Sequence, residues 1–220
     1  MPSQPRISLI HATPLAIVPI TQSFQRLWPD ARVYNLLEDS LTADLNAVDG
    51  DILAMAPRFD ALTRYAISCG SQGILFTCSA FGPAIDAARA EQSVPVLKPN
   101  EAMISEALSL GTRIGLIATF QPALAPITEE FHEQAKKTDQ AVELRPLFVK
   151  DAWAALQQGD TSKHDALVAA TCSDASNCDV ICFAQFSMTS AASAAQAASG
   201  RPTLTTPDSA VKRLKSLIAI

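Results

Sequence analysis

The chain lacks most of the signatures that announce a common chemistry. It contains no Gly-x-Gly-x-x-Gly and no Gly-x-x-x-x-Gly-Lys, so dinucleotide and P-loop readings lose their usual support. The absence of Gly-x-Ser-x-Gly argues against a hydrolase nucleophile elbow. No apolar run approaches the ~20 residues that span a bilayer. No basic cluster is present, and the net charge of −5 argues against nucleic acid or an anionic membrane surface as partner. The amino end, Met-Pro-Ser-Gln-Pro-Arg, has no charged and apolar signal segment, so a cytoplasmic protein is expected. The five cysteines, an odd number, fit reduced thiols there better than a disulfide framework. Cys172, Cys178 and Cys182 form Cys-x5-Cys-x3-Cys, which is not a common zinc spacing, and no metal is expected.

What is present describes a well-packed globule. Hydrophobic residues make up 48% of the 220 and charged residues 18%, a length that allows one large or two small domains. The stretch Gly73-Ile-Leu-Phe-Thr-Cys78-Ser-Ala-Phe-Gly82 reads as a buried strand, a tight turn and a helix start. Gly82 and Pro83 supply the turn and a first helical residue with its φ already set. Cys78 falls at the carboxyl end of the strand, where open α/β sheets place ligands. A helix amino end beside it is expected to lower the thiol pKa.

This stretch has a counterpart further on. An offset of 107 residues carries Cys78 to Gln185, Ile74 to Ile181 and Phe76 to Phe183. It also carries Arg6-Ile7 to Arg113-Ile114, Pro19-Ile20 to Pro126-Ile127, Phe24 to Phe131 and Pro95 to Pro202. Arginine, proline and phenylalanine in one register argue against chance. The expected fold is α/β: two pseudo-symmetric lobes with mostly parallel sheets, and Cys78 and Gln185 at equivalent positions beside the cleft between them.

Strands alternate with helices throughout, as a parallel sheet requires. Strands are expected at 7–10, 32–37, 74–76, 94–97, 114–118, 143–147, 179–183 and 202–204. Helices are expected at 15–27, 57–69, 83–92, 101–110, 122–137, 151–158, 164–173, 187–199 and 207–220. Glu38–Gly50 is polar and acidic and reads as a loop over the cleft. Asn100 is the expected N-cap of its helix. Lobe one is set at residues 1–111, with the helix 207–220 packing back on it, and lobe two at 112–206.

Among single residues, His11 ends a strand near the expected cleft, where it could bind a carboxylate. Lys98 precedes Pro99-Asn100 at the same rim and is a candidate anion contact. His132 and His164 read as surface helix residues. Cys78 outweighs these, because its strand-end position, Ser79 and the Gly82-Pro83 turn all favour a functional thiol over an inert core cysteine.

These residues resemble the aspartate/glutamate racemase superfamily, which also holds hydantoin racemases, arylmalonate decarboxylases and maleate isomerases. Thr77-Cys78-Ser79-Ala80 is similar to the Cys-Asn-Thr strand end of the family's first lobe. Arg113-Ile-Gly-Leu-Ile-Ala-Thr119 resembles the strand that opens its second lobe, and Asp179-Val-Ile-Cys-Phe-Ala-Gln185 the approach to its second cysteine. The resemblance implies a cofactor-independent enzyme that moves a proton at the carbon α to a carboxylate, with Cys78 as acid/base. Gln185 replaces the second thiol and cannot transfer a proton at neutral pH, though it can donate and accept hydrogen bonds. Cys182, three residues earlier, is a poor substitute. One acid/base group suits a one-sided reaction, so an arylmalonate-decarboxylase-like decarboxylation with protonation by Cys78 is the alternative. A non-catalytic small-acid binding protein is the competing class. Backbone N–H groups after Cys78 and Gln185, with the Ser79, Ser187 and Thr119 hydroxyls, are expected to hold the substrate carboxylate. Thr13 and Pro14 would shape one wall, and Phe81, Phe120 and Phe186 would favour a substrate with an apolar part. The expected partner is thus a small carboxylate-containing substrate, and a homodimer is a candidate assembly.

Overall fold

The computed structural model describes residues 4–218. The first three residues of the amino end discussed above, and the last two of the helix expected to reach Ile220, lie outside them. Two four-stranded parallel sheets form the frame. The first joins strands β1 (Arg6–His11), β2 (Arg32–Leu37), β3 (Gly73–Phe76) and β4 (Val96–Leu97) in the order β2-β1-β3-β4. The second joins β5 (Arg113–Ala118), β6 (Glu143–Phe148), β7 (Val180–Phe183) and β8 (Thr203–Thr205) in the order β6-β5-β7-β8. The α/β fold is thus two lobes of one topology.

The repeat is visible at the level of single residues. An offset of 107 maps β1 exactly onto β5 and β3 exactly onto β7. It also maps the 3-10 turn Pro14–Ala16 onto Gln121–Ala123, and Ser79–Phe81 onto the start of Phe186–Ala191. The register slips at β2 and β6, which start 111 residues apart, because the helix before β6 is longer. That helix, α6 (Leu124–Lys137), has 14 residues against 11 in α1 (Ile17–Leu27).

The central strands read as continuous apolar runs because helices cover both of their faces. Ile7, Leu9 and Ile10 of β1, Ile74 and Leu75 of β3, and Ile114, Leu116 and Ile117 of β5 are all buried. The edge strands β2 and β6 alternate instead, with exposed and half-buried residues. Helix α3 (Ala56–Ser68) ends where the sequence places its stop: Gly70 takes φ +83°, a left-handed conformation that costs glycine no Cβ clash.

Glu38–Gly50 is not a loop throughout. It contains the helix α2 (Leu41–Ala47). Leu41, Leu45 and Val48, spaced four and three apart, turn one face into the apolar cluster built around Phe59, Phe76 and Phe81. Its polar side is tied down by Arg58, which pairs with Asp44 and with Glu38.

By contact density the chain falls into two units, one running through Pro99 and resuming at Ala210, the other Asn100–Ser209. Helix α5 (Glu101–Leu110), which the sequence reading leaves in lobe one, belongs to the second unit. Its Met103, Ile104, Ala107 and Leu108 are buried with β5, β7 and α6. Asn100 does not cap it through its side chain, because its amide donates to the Glu130 carboxylate on α6 instead. Helix α10 (Thr206–Ile218) supplies the reciprocal piece to the first unit. A Cβ on Gly73 would stand 2.6 Å from Ile218 and 3.2 Å from Leu214, and Lys215 Nζ donates to the Leu27 carbonyl at 3.2 Å. The offset of 107 maps α5 onto α10, so each repeat lends its last helix to the other unit. No helix among the described residues is long and apolar enough to cross a membrane.

Candidate active site

In the first unit, Cys78 follows β3 and caps the 3-10 turn Ser79–Phe81, which leads into α4 (Gly82–Arg89). Its thiol is half-buried, against the Phe59–Phe76–Phe81 cluster. Burial pushes the thiol pKa up, and the Ala80 N–H donating to the sulfur offsets this only in part. The expectation of a lowered thiol pKa is therefore not met. The turn after Cys78 is a single 3-10 turn, and α4 begins only at Gly82, so the thiol meets one N–H rather than the end of a long helix. The raised pKa keeps the Cys78 thiol in its protonated form at neutral pH.

The residue before it is clamped from the side. His11, fully buried at the end of β1, has Nδ1 2.8 Å from the Thr77 hydroxyl and Nε2 2.9 Å from Asn35 Oδ1 on β2. An amide oxygen can only accept, so Nε2 carries the proton and the Thr77 hydroxyl donates to Nδ1. Burial lowers the His11 pKa and so favours the neutral ring, and the Asn35 bond opposes this only in part. Both nitrogens are thus committed to protein partners. His11 joins three strand ends and is not available to bind a carboxylate. Asn35 and Thr77 are the residues that sequence reading missed, since no local pattern brings positions 11, 35 and 77 together.

The other first-unit candidates divide. Ser79 and Ala80 are exposed on the Cys78 turn, Pro14 is exposed and Thr13 half-exposed on the turn after β1. The Thr13 hydroxyl accepts from Leu15 N–H at 3.5 Å. Phe81 is fully buried against Phe59, with ring centroids 5.0 Å apart, so it belongs to the core and not to a substrate surface. Lys98 pairs with Asp86 of α4 at 2.8 Å, a carboxylate it shares with Arg89, so its ammonium is already engaged by a protein partner.

In the second unit, Gln185 caps the 3-10 turn Phe186–Ala191 after β7, as Cys78 does after β3. Its Oε1 accepts from Thr119 N–H at 2.8 Å, from Phe120 N–H at 3.1 Å and from the Thr119 hydroxyl at 3.2 Å. Thr119 is buried, with its hydroxyl turned to Gln185. Phe120 is 45% exposed and packs on Trp153, ring centroids 5.6 Å apart. Phe186 and Ser187 are half-exposed on the Gln185 turn.

His164 is not a surface residue. It is fully buried near the start of α8 (Thr161–Ser173), with Nδ1 2.7 Å from Asp165 Oδ1, which also accepts from Ser190 at 2.8 Å. This group ties α8 to the end of the turn that Gln185 begins. Cys172 and Cys182 are buried, the Cys172 thiol pushed up to about 12 and the Cys182 thiol pushed up as well. Among the described residues no group of histidines, cysteines and carboxylates is placed to hold a metal.

Twin parallel sheets of one topology, each closing on a strand-to-turn junction that carries Cys78 in one unit and Gln185 in the other, define a doubled α/β fold. The chain belongs to the Asp/Glu/hydantoin racemase family, whose model matches residues 26–214. An aspartate racemase homologue from Pyrococcus horikoshii superposes with a TM-score of 0.71 at 13% identity, covering 98% of this chain and 99% of that one. Allantoin racemase from Klebsiella pneumoniae gives 0.68 at 18% identity, over 98% and 88%. Unliganded arylmalonate decarboxylase gives 0.59 at 15% identity, over 97% and 93%. At these identities the likeness is one of fold. No curated protein matches the chain in sequence.

Proposed function

We propose that the protein is a cofactor-independent enzyme that transfers a proton at the carbon α to a carboxylate, with Cys78 as its acid/base group. The observation that carries this reading is the Cys78 junction itself: a half-buried thiol at the end of a central strand, fixed by the Ala80 N–H and by the clamped Thr77 before it. Ser79, exposed on that turn, offers a hydroxyl donor to a carboxylate.

The raised thiol pKa and the glutamine at position 185 favour decarboxylation over racemisation. In that reaction the bond from the α carbon to one carboxyl breaks and carbon dioxide leaves. The electron pair passes into the remaining carboxyl group, giving an enediolate. The Cys78 S–H then donates its proton to the α carbon, and the thiolate regains a proton from solvent. A protonated thiol is the form this sequence needs at its start. Abstraction from an amino acid would need the thiolate, which burial disfavours. General-acid help of this kind contributes about 10²–10⁴-fold in rate.

The test is proton NMR in D₂O with aryl- and alkyl-malonates, amino acids and hydantoins, using wild type and Cys78→Ala. Loss of carbon dioxide with one deuterium placed at the α carbon, abolished in Cys78→Ala, is the expected result. No turnover and no α-exchange across the panel would refute the enzyme reading in favour of a small-acid binding protein.

A further inference from the structure

The polar stretch 38–50 of the first unit is fastened at both ends. The Glu38 N–H donates to the His11 carbonyl at 2.9 Å. Asp49 and Gly50 take φ of +52° and +79°, two successive left-handed residues that stop α2. Asp51 then fixes the next turn by accepting from the Leu53 and Ala54 N–H groups at 3.0 and 3.2 Å. Between these points α2 has seven residues, too few to be stable through its own hydrogen bonds. Its contacts keep it folded. Leu41 is buried, but Leu45 and Val48 are only half-buried against the Phe59–Phe76–Phe81 cluster. Cys78 packs on that same cluster. Helices α3 and α4 bury whole faces (Phe59, Thr63 and Ala66; Ala84, Ile85 and Ala88), so α2 is the helix on this cluster that leaves with least loss of apolar burial. The Arg58 guanidinium on α3 holds the polar side. It pairs with Asp44 and with Glu38 Oε2 at 3.2 Å, and donates to the Ser40 hydroxyl at 2.8 Å. The Arg58 and Asp44 side chains are 35% and 49% exposed, so salt reaches the pair.

We propose that α2 is a lid on the first unit, latched by Arg58, and that its opening admits small molecules to the Cys78 thiol. The proposal concerns access alone and stands whether or not Cys78 transfers a proton. Opening is a local event: the thiol gains access while the strands β1 and β3 stay paired. A latch of exposed pairs shifts the balance between shut and open by about tenfold at low salt. Salt of about 1 M, with a screening length of about 3 Å, removes most of that bias.

The test uses the full chain and iodoacetamide, an uncharged reagent, at neutral pH. Peptide mass spectrometry compares the Cys78 rate with that of the partly exposed Cys69 in the same molecule. Arg58→Met should raise the Cys78 rate about tenfold relative to Cys69. Raising salt from about 0.05 M to about 1 M should speed Cys78 by a comparable factor in wild type and leave Arg58→Met unchanged. Leu45→Ser, which weakens the apolar side of the lid, should speed Cys78 and keep the salt response. A Cys78 rate that neither Arg58→Met nor salt alters would overturn the proposal. So would an acceleration that grows with urea as steeply as the unfolding read by Trp28 fluorescence in a Trp153→Phe background, because unfolding would then be the route to the thiol. A salt-dependent, Arg58-dependent rate with no decarboxylation or α-exchange in the malonate panel would leave the lid standing and refute the catalytic reading, so the two fail separately.

Discussion

Replacing His11 by leucine removes both of its hydrogen bonds at once, and the two partners left behind fare differently. Asn35 is exposed and returns to water. Thr77 is 6% exposed and keeps only a 3.4 Å contact from its hydroxyl to the Ile10 carbonyl. One buried, poorly satisfied hydroxyl costs about 1–3 kcal/mol. Removing that hydroxyl as well, in His11→Leu/Thr77→Val, should recover part of the loss, with a coupling of about 1 kcal/mol. Trp28 is buried and stacked on Phe24 in the first unit, and the chain has only one other tryptophan, Trp153. Urea unfolding followed by fluorescence in a Trp153→Phe background therefore reads the first unit. His11 also makes this unit pH-sensitive. Its folded pKa lies below the ordinary 6.5, so between the two values the unfolded chain binds more protons. Stability from this group is full above about pH 6.5 and falls as pH drops below it. His11→Leu should flatten that decline. Strictly additive effects of the two substitutions, or an unchanged decline below pH 6.5, would refute the clamp.

Three further predictions concern the thiols and the second sheet. Iodoacetamide at neutral pH should modify Cys78, with the partly exposed Cys69 as an internal reference, well before the buried Cys172, Cys178 and Cys182. Peptide mass spectrometry would refute this if any of those three reacted as fast as Cys78. Gly111→Ala should destabilise the second unit by about 1–3 kcal/mol through overpacking, since its Cβ would stand 2.7 Å from Asp179 Oδ2 and 2.8 Å from Cγ. Asp179 accepts from the Thr112 and Arg113 N–H groups and from the Arg113 guanidinium, which hold its carboxyl at about 2. Its contribution is present above the ordinary 3.8 and is lost as pH falls toward 2, so Asp179→Asn should flatten the acid limb of thermal unfolding.

Much of the fold was legible because the chain states it twice. Apolar runs at β1, β3, β5 and β7 and a constant offset between them predict two like lobes, since central parallel strands must be apolar on both faces. The helix α2 was missed because its acidic residues hide the Leu41–Leu45–Val48 spacing. The position of α5 was also within reach. If the last helix crosses to the other lobe, the repeat requires that its counterpart does so too.

Sequence alone determined the doubled α/β class, the family resemblance, and the pairing of Cys78 with Gln185 at corresponding strand ends. These follow from local periodicity and from chemistry that a residue type either has or lacks: glutamine is no acid or base at neutral pH. Tertiary structure alone decided what each group is free to do. It took His11, Lys98 and Phe81 out of the candidate set by giving them protein partners, raised the Cys78 thiol by burial, and fixed the Gln185 amide oxygen on the Thr119 and Phe120 N–H groups. Such outcomes depend on desolvation and on donors brought together from positions 66 residues apart, such as Thr119 and Gln185, and no pattern along the chain encodes them.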